Sequence, residues 1–347
     1  MSGPRSKPTR NDVARLAGTS PAVVSYVVND GPRPVAPDTR KRVQDAIDQL
    51  GYRPNGIARS LRGNRSNVIG LLVPDNSNPF FAALARAIEV AAYDEGYTVL
   101  LGNAVGDDAR ELRYARTMVE HRIDGLVLSS TGHSAEVVRE LTDARVPLVL
   151  VDRHIPGIGA AVLAVDNEGG GFMATRHLIG HGHTRIACVA GPGDLTPSAD
   201  RHRGWSRALR ESGLLEDDAL FVRSRFDRVG GYHAAQELLR RGGERPTAIF
   251  ACTDQQAIGV LRALAEADLS VPGDVAVVGF DGIPEGAYMN PPLATVRQPI
   301  RALGARAVEL LLQDMRGTAA AIEAEVMPVE LTPNASCGCP RRVEEED

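Results

Sequence analysis

Six oxygen-bearing side chains, Asp75, Asp152, Asp166, Thr253, Asp254 and Asp281, stand just after short runs of Val, Leu, Ile and Ala. Carboxylates and hydroxyls accept hydrogen bonds from a small polar ligand, so these positions describe the wall of a binding cleft. Two further spacings suggest metal chemistry: His181 and His183 with Gly182 between them, and Cys337-Gly338-Cys339. Structural zinc requires four N or S donors, and neither pair has a visible partner in the sequence, so a solvated turn is the favoured reading of both and no metal is expected. Gly191-Pro192-Gly193 lacks the third glycine of a dinucleotide-binding loop. A nucleophile with its acid/base partner is likewise not found, so neither a cofactor nor enzyme activity is expected. Cys188 and Cys252 lie in apolar, strand-like runs and read as reduced, structural thiols.

The elements that must carry the acidic positions are short and repetitive. From residue 67 the runs VIGLLV, YTVLLGN, DGLVLS, VPLVLVD and VLAVD alternate with amphipathic stretches of about a dozen residues. A second series, RIACVAG, ALFVRS, TAIFAC and DVAVVGFD, begins near Arg185. Continuous apolar strands separated by helices are the signature of parallel sheets covered on both faces. Two series give an α/β body of two open parallel-sheet subdomains, whose ligands sit beyond the carboxyl ends of the strands.

The first 66 residues have a different texture. Thr9 can cap a short helix that places Val13, Leu16 and Ala17 on one face, and Gly18 supplies the left-handed residue that ends it. Ser20 is a second N-cap with Pro21 at the first helical position, and Val24, Val27 and Val28 bury one side of the next helix. Ala22, Ser25, Tyr26 and Asn29 lie on its other side. Two short helices around a tight glycine turn are what a helix-turn-helix needs to lay its second helix in the DNA major groove, although helical hairpins in protein cores share the pattern. Pro37 opens a third helix that packs Val43, Ile47 and Leu50 on the first two and stops at Gly51. Asn55 can then cap a short segment, GIARSLRG, with Ala58 and Leu61 at i and i+3; it needs a partner to order, such as a second subunit and the DNA minor groove, and is otherwise a disordered interdomain linker.

Charge follows the same division. The net charge of −5 conceals 12 Lys or Arg against 5 Asp or Glu in residues 1–66, a net of +7, and a net of −12 beyond. A basic head on an acidic body suits a phosphate-contacting module attached to a domain with another task. No window approaches the ~20 apolar residues of a membrane span, and no apolar run follows the basic N-terminus, so a cytoplasmic protein with no membrane partner is expected. The tail RRVEEED lacks apolar heptads. The domains therefore read as a helix-turn-helix domain over 1–54, a hinge over 55–66, a ligand-binding and dimerisation body over 67–340 and an acidic tail over 341–347. A solute-binding protein is the alternative, disfavoured because such a chain would begin with a signal peptide.

Across nearly its whole length the sequence resembles the LacI/GalR family of bacterial transcription regulators. The resemblance rests on DVARLAGTSPAVVSYVVN, GYRPNGIARSLRG, IGLLVPDNSNPFF, VDNEGG with HLIGHGHTRIA, SADRHRGW, and VVGFDGIPEGAYMNPPLATVRQP. It implies a periplasmic-binding-protein-like body, a homodimer on a palindromic double-stranded operator, and control by a small effector. It further implies that Leu61 wedges into the central minor-groove step beside Ala58, and that Thr9, Ser20, Pro21, Ala22, Ser25, Tyr26, Asn29 and Asn55 serve DNA binding. Tyr26 and Val23 depart from the family, which usually has Arg or a similar polar group and Thr there. The matching effector positions are Phe80, Arg201, Phe226, Thr253, Asp254 and Asp281, with Asp75 at the same strand ends. Arg201 offers paired donors, the carboxylates paired acceptors and the rings an apolar face, a combination suited to a sugar or, alternatively, a nucleobase. Trp205 reads as core.

Overall fold

The computed structural model describes residues 8–29, 31, 33–53, 65–129, 135–152, 160–318 and 324–341. Two compact units divide the chain, residues 1–66 and 67–347. No helix among the described residues is long and apolar enough to cross a membrane.

Among the described residues the head has three helices: α1 (Arg10–Leu16), α2 (Pro21–Val28) and α3 (Pro37–Leu50). At α1 the Thr9 and Asp12 side chains cap each other's backbone amides, at 3.4 and 2.9 Å. Gly18, at φ +62°, turns the chain, and Ser20 Oγ then accepts from Val23 N at 3.3 Å to start α2. Val13, Ala14, Ala17, Val24, Val27, Val43 and Ala46 are buried at the centre. One expectation fails here, because Leu16 is 46% exposed and Ala14 takes its place. At about 100° per residue the arc through Val13, Ala14 and Ala17 is the one that meets the other helices, and Leu16 falls on its flank.

The body contains two six-stranded sheets. The first holds β1 (Val68–Val73), β2 (Thr98–Asn103), β3 (Gly125–Leu128), β4 (Leu148–Val151), β5 (Ala161–Val165) and β11 (Glu325–Met327), in the order β11-β5-β4-β3-β1-β2. The second holds β6 (Ile186–Ala190), β7 (Phe221–Arg223), β8 (Ala248–Ala251), β9 (Ala276–Asp281), β10 (Ala294–Arg297) and β12 (Glu330–Thr332), in the order β12-β10-β9-β8-β6-β7. Among the described residues all pairings are parallel except that of β10 with β12. Apolar clusters cover both faces of each sheet, which is why the central strands are continuous apolar runs.

The subdomains are not two successive stretches of chain, as the two series of runs suggested. After β5 the chain enters α7 (Asn167–Gly180), which packs on the second sheet, and after β10 it returns through α11 (Ile300–Met315) to pack on the first. Between β11 and β12 it crosses again. The remaining body helices are α4 (Pro79–Asp94), α5 (Asp108–Glu120), α6 (Ala135–Asp143), α8 (Thr196–Glu211), α9 (Arg228–Arg240) and α10 (Asp254–Glu266).

Candidate functional site

Arg201 lies in the second turn of α8 and is only 3% exposed. Its Nε donates to Asn167 Oδ1 at 2.8 Å; Nη1 donates to the Cys252 carbonyl at 2.6 Å and meets Asp281 Oδ1 at 3.3 Å. The guanidinium also stacks on Phe280, with Cζ 3.7 Å from the ring centroid. Burying a guanidinium is tolerable only when it is paired and hydrogen-bonded, and here the ends of β5, β8 and β9 all supply acceptors. Asp281 takes a second hydrogen bond from Gln298 Nε2 at 2.8 Å. Burial pushes its pKa up to about 7, against the opposing pull of Arg201 and Gln298.

Asp281 is held in an unusual backbone geometry, with φ at +125° followed by Gly282 at +77°. Asp254 explains how. Its Oδ2 accepts from the amides of Gly282 and Ile283 at 2.8 and 2.9 Å, and its Oδ1 from the Thr295 hydroxyl at 2.6 Å. Asp254 is fully buried, and burial together with the Asp281 charge pushes its pKa up to about 8. Both of its oxygens are thus engaged in shaping the turn that presents Asp281. Thr253 is similarly occupied, since its Oγ1 caps α10 by accepting from Gln256 N at 3.1 Å. Both side chains, expected from the sequence at the effector, are thus hydrogen-bonded within the protein.

Other expected residues are distributed around this centre. Phe226 covers Gly191 so closely that a Cβ there would come within 2.2 Å of the ring, which accounts for the small residue in Gly191-Pro192-Gly193. Phe80 is buried in the first subdomain, edge to face with Phe81 at 5.1 Å, in the apolar cluster that also receives Ile283. Asp75 closes a local turn through Ser77 N at 2.9 Å, and among the described residues it shares no hydrogen bond with the Arg201 cluster. Asp166 caps α7 by accepting from Gly169 N at 2.7 Å, and Asp152 sits at φ +71° after β4. Trp205 is core, with Nε1 donating to the Ile186 carbonyl at 3.1 Å.

Sequence reasoning passed over Asn167, Gln298 and Ser198. Asn167 and Gln298 follow the ends of β5 and β10, as the six singled-out residues follow their own strands. Ser198 lies one turn before Arg201, fully buried, and its Oγ has no hydrogen-bond partner among the described residues. The pairs dismissed as solvated turns also need correction. His181 is joined by His177, Cys337 and Cys339, while His183 turns away to Thr247 Oγ1 at 3.1 Å.

On the head, α2 exposes Ala22 and Asn29 and half-buries Ser25 and Tyr26. Asn29 Nδ2 donates to Ser25 Oγ at 3.2 Å, and the Tyr26 ring lies against Gly31, where a Cβ would come within 2.9 Å. Pro21 is half-buried at the start of the helix. Asn55, Ala58 and Leu61 fall outside the described residues.

A helix-turn-helix head with a periplasmic-binding-protein-like body defines a DNA-binding transcription regulator. Residues 9–55 match the model of bacterial regulatory proteins of the lacI family, and residues 175–337 match a periplasmic binding protein-like domain. The ribose operon repressor of Escherichia coli K12 is 40% identical over 307 residues, 88% of this chain and 92% of the repressor. A crystal structure of the lac repressor dimer bound to operator and an anti-inducer superposes with a TM-score of 0.85 at 28% identity, covering 96% of this chain and 99% of that one. A LacI family regulator from Enterococcus faecium with bound ribose is 30% identical, with a TM-score of 0.71, over 78% of this chain and 98% of its own. The chain belongs to the lacI family of bacterial regulatory proteins.

Proposed function

We propose that this protein is a repressor that binds a palindromic operator as a homodimer and releases or tightens its grip when a small sugar occupies the body. The observation that carries the reading is the face of α2 that the head core leaves uncovered: Ala22 and Asn29 exposed, Ser25 and Tyr26 half-exposed, above a core already closed by Val24 and Val27. A short helix with small and polar residues at its N-terminal end fits the major groove, with Pro21, Ala22 and Tyr26 toward the bases and Thr9, Ser20, Ser25, Asn29 and Asn55 toward the backbone. Tyr26 offers one hydroxyl and a ring where an arginine would grip guanine with two bonds, so the half-site differs from that of relatives with arginine there.

A sugar is supported by the Arg201–Asp281 pair and by the ribose bound to the Enterococcus relative. A dimer is supported by the lac repressor structure and by exposed Val90 and Tyr93 on α4, beside Leu100 and Leu101 on the edge strand β2. The protein acts in the cytoplasm by binding and not by catalysis, with residues 1–54 as reader, 55–66 as hinge, 67–340 as sensor and 341–347 as a tail. Selection from a random DNA pool tests the reading. Full-length protein should enrich a two-fold-symmetric sequence, and Leu61→Ala should weaken binding to it by about 1–3 kcal/mol while sparing nonspecific, salt-sensitive binding. Equal losses on selected and random DNA would contradict the wedge.

A further inference from the structure

Four donor side chains from the two ends of the second subdomain meet at one point. His177 and His181 are four residues apart, at the last turn and C-cap of α7, and so project from one face. Cys337 ends a short 3-10 turn after β12, and Gly338 at φ +88° reverses the chain so that Cys339 points back toward its neighbour. The Nε2 of His177 lies 3.1 Å from Cys337 Sγ and 3.6 Å from Cys339 Sγ, and the Nε2 of His181 lies 3.3 Å from Cys339 Sγ. All four ligand atoms fall within 4.8 Å of one another.

These separations are those of a coordination sphere. With Zn–S of about 2.3 Å and Zn–N of about 2.0–2.1 Å, tetrahedral geometry puts sulfur and nitrogen roughly 3.5 Å apart. The donor set, two thiols and two imidazoles, is that of closed structural zinc sites, and the soft sulfurs disfavour magnesium and calcium. Both imidazoles present the same nitrogen to the sulfurs, with their ring centroids 4.7 Å apart at 69°.

The surroundings hold the donors in place. Ser336 anchors the cysteine segment to the sheet, donating to the Val277 carbonyl at 2.6 Å and accepting from Ala294 N at 2.8 Å. Cys337 is 1% exposed, Cys339 and His177 are half-buried, and His181 is exposed, which leaves an entry side for the ion. Nothing in the DNA-reading helix or the Arg201 cluster uses these residues. We propose that His177, His181, Cys337 and Cys339 form a Cys2His2 site for Zn2+ that staples the C-terminal segment to α7. The metal takes both thiols as thiolates and both imidazoles as neutral ligands, and the two thiol protons pass to water. Because α7 begins at Asn167, which accepts from Arg201, the staple fixes the far end of the helix that presents Asn167 to the Arg201 cluster.

Cobalt substitution tests the site directly. Full-length protein, stripped of metal by a chelator under reducing conditions, is titrated with Co2+ and then Zn2+. One equivalent of Co2+ per chain should produce the strong visible bands of a tetrahedral ion and a thiolate charge-transfer band, and Zn2+ should abolish both. His181→Gln and Cys339→Ser, at the less buried positions, should each weaken Zn2+ at least tenfold in competition with a chromophoric chelator, while circular dichroism stays that of the wild type. Zn2+ should also raise the melting temperature of the wild type more than that of either variant. Absence of the bands in reduced wild-type protein, or the same bands and affinity in both variants, would overturn the proposal; a Cys337–Cys339 disulfide that re-forms in air, with no metal uptake once reduced, would do so too.

Discussion

The buried guanidinium of Arg201 is satisfied by the Cys252 carbonyl, Asn167 and Asp281, which all accept from it. Removing Arg201 leaves Asp281 buried without its ion-pair partner and three acceptors short of a donor. Arg201→Ala should therefore lower the free energy of unfolding by about 3–5 kcal/mol in urea without ligand. An unchanged midpoint would mean that the pair is solvated. The neighbouring carboxylates give a pH signature. The native pKa values of Asp281 and Asp254 are raised, to about 7 and about 8, so the native state binds more protons than the unfolded chain across the interval above the ordinary carboxylate range. Their contribution is fully present below that range and is lost as pH rises through these values. Asp254→Asn keeps an acceptor for the amides of Gly282 and Ile283 and can donate to Thr295. It should flatten the fall in melting temperature between about pH 6 and about pH 8.5 relative to the wild type. A parallel fall in both proteins would remove Asp254 from the account.

Helices in the second subdomain approach one another through glycine. A Cβ on Gly204 of α8 would come within 2.1 Å of the Glu168 carbonyl on α7, and one on Gly171 of α7 within 2.3 Å of the Arg201 carbonyl. This close crossing puts Asn167 within reach of Arg201. Gly204→Ala should cost about 1–3 kcal/mol through overpacking and loosen sugar binding, measured by thermal melts and calorimetry. Full stability in the variant would show that the helices part easily. The strands and most caps were legible because their signals are local: apolar runs for β1–β9, Thr9 and Ser20 as side-chain caps, Gly18 and Gly51 as stops. The exchange of α11 and β11 into the first subdomain was not, because crossing points carry no periodicity. The same limit hid the Cys2His2 cluster, whose halves are separated by more than 150 residues between His181 and Cys337. Motif and strand-end position singled out Arg201 and Asp281, whose side chains meet, whereas the inward turn of Asp254 depends on the fold of the 281–283 turn.

At the scale of the whole molecule, charge and texture divide the chain at one place. The basic first 66 residues enclose their own small core of Val13, Val24 and Val43, and the body has separate clusters on both faces of two sheets. An effector can alter DNA binding only if it binds the DNA-competent and incompetent arrangements of the body with different affinity. Response to sugar should therefore require both parts on one chain. The direct test is fluorescence anisotropy of the selected palindromic DNA, titrated with full-length protein and with residues 67–347, each with and without D-ribose and a panel of related sugars. The account predicts tight, sequence-specific binding by the full chain that one sugar shifts at least tenfold, and no DNA binding by residues 67–347 although the fragment melts cooperatively and still binds that sugar. DNA binding by the fragment, or full-length binding that discriminates no sequence and answers to no sugar in the panel, would contradict it.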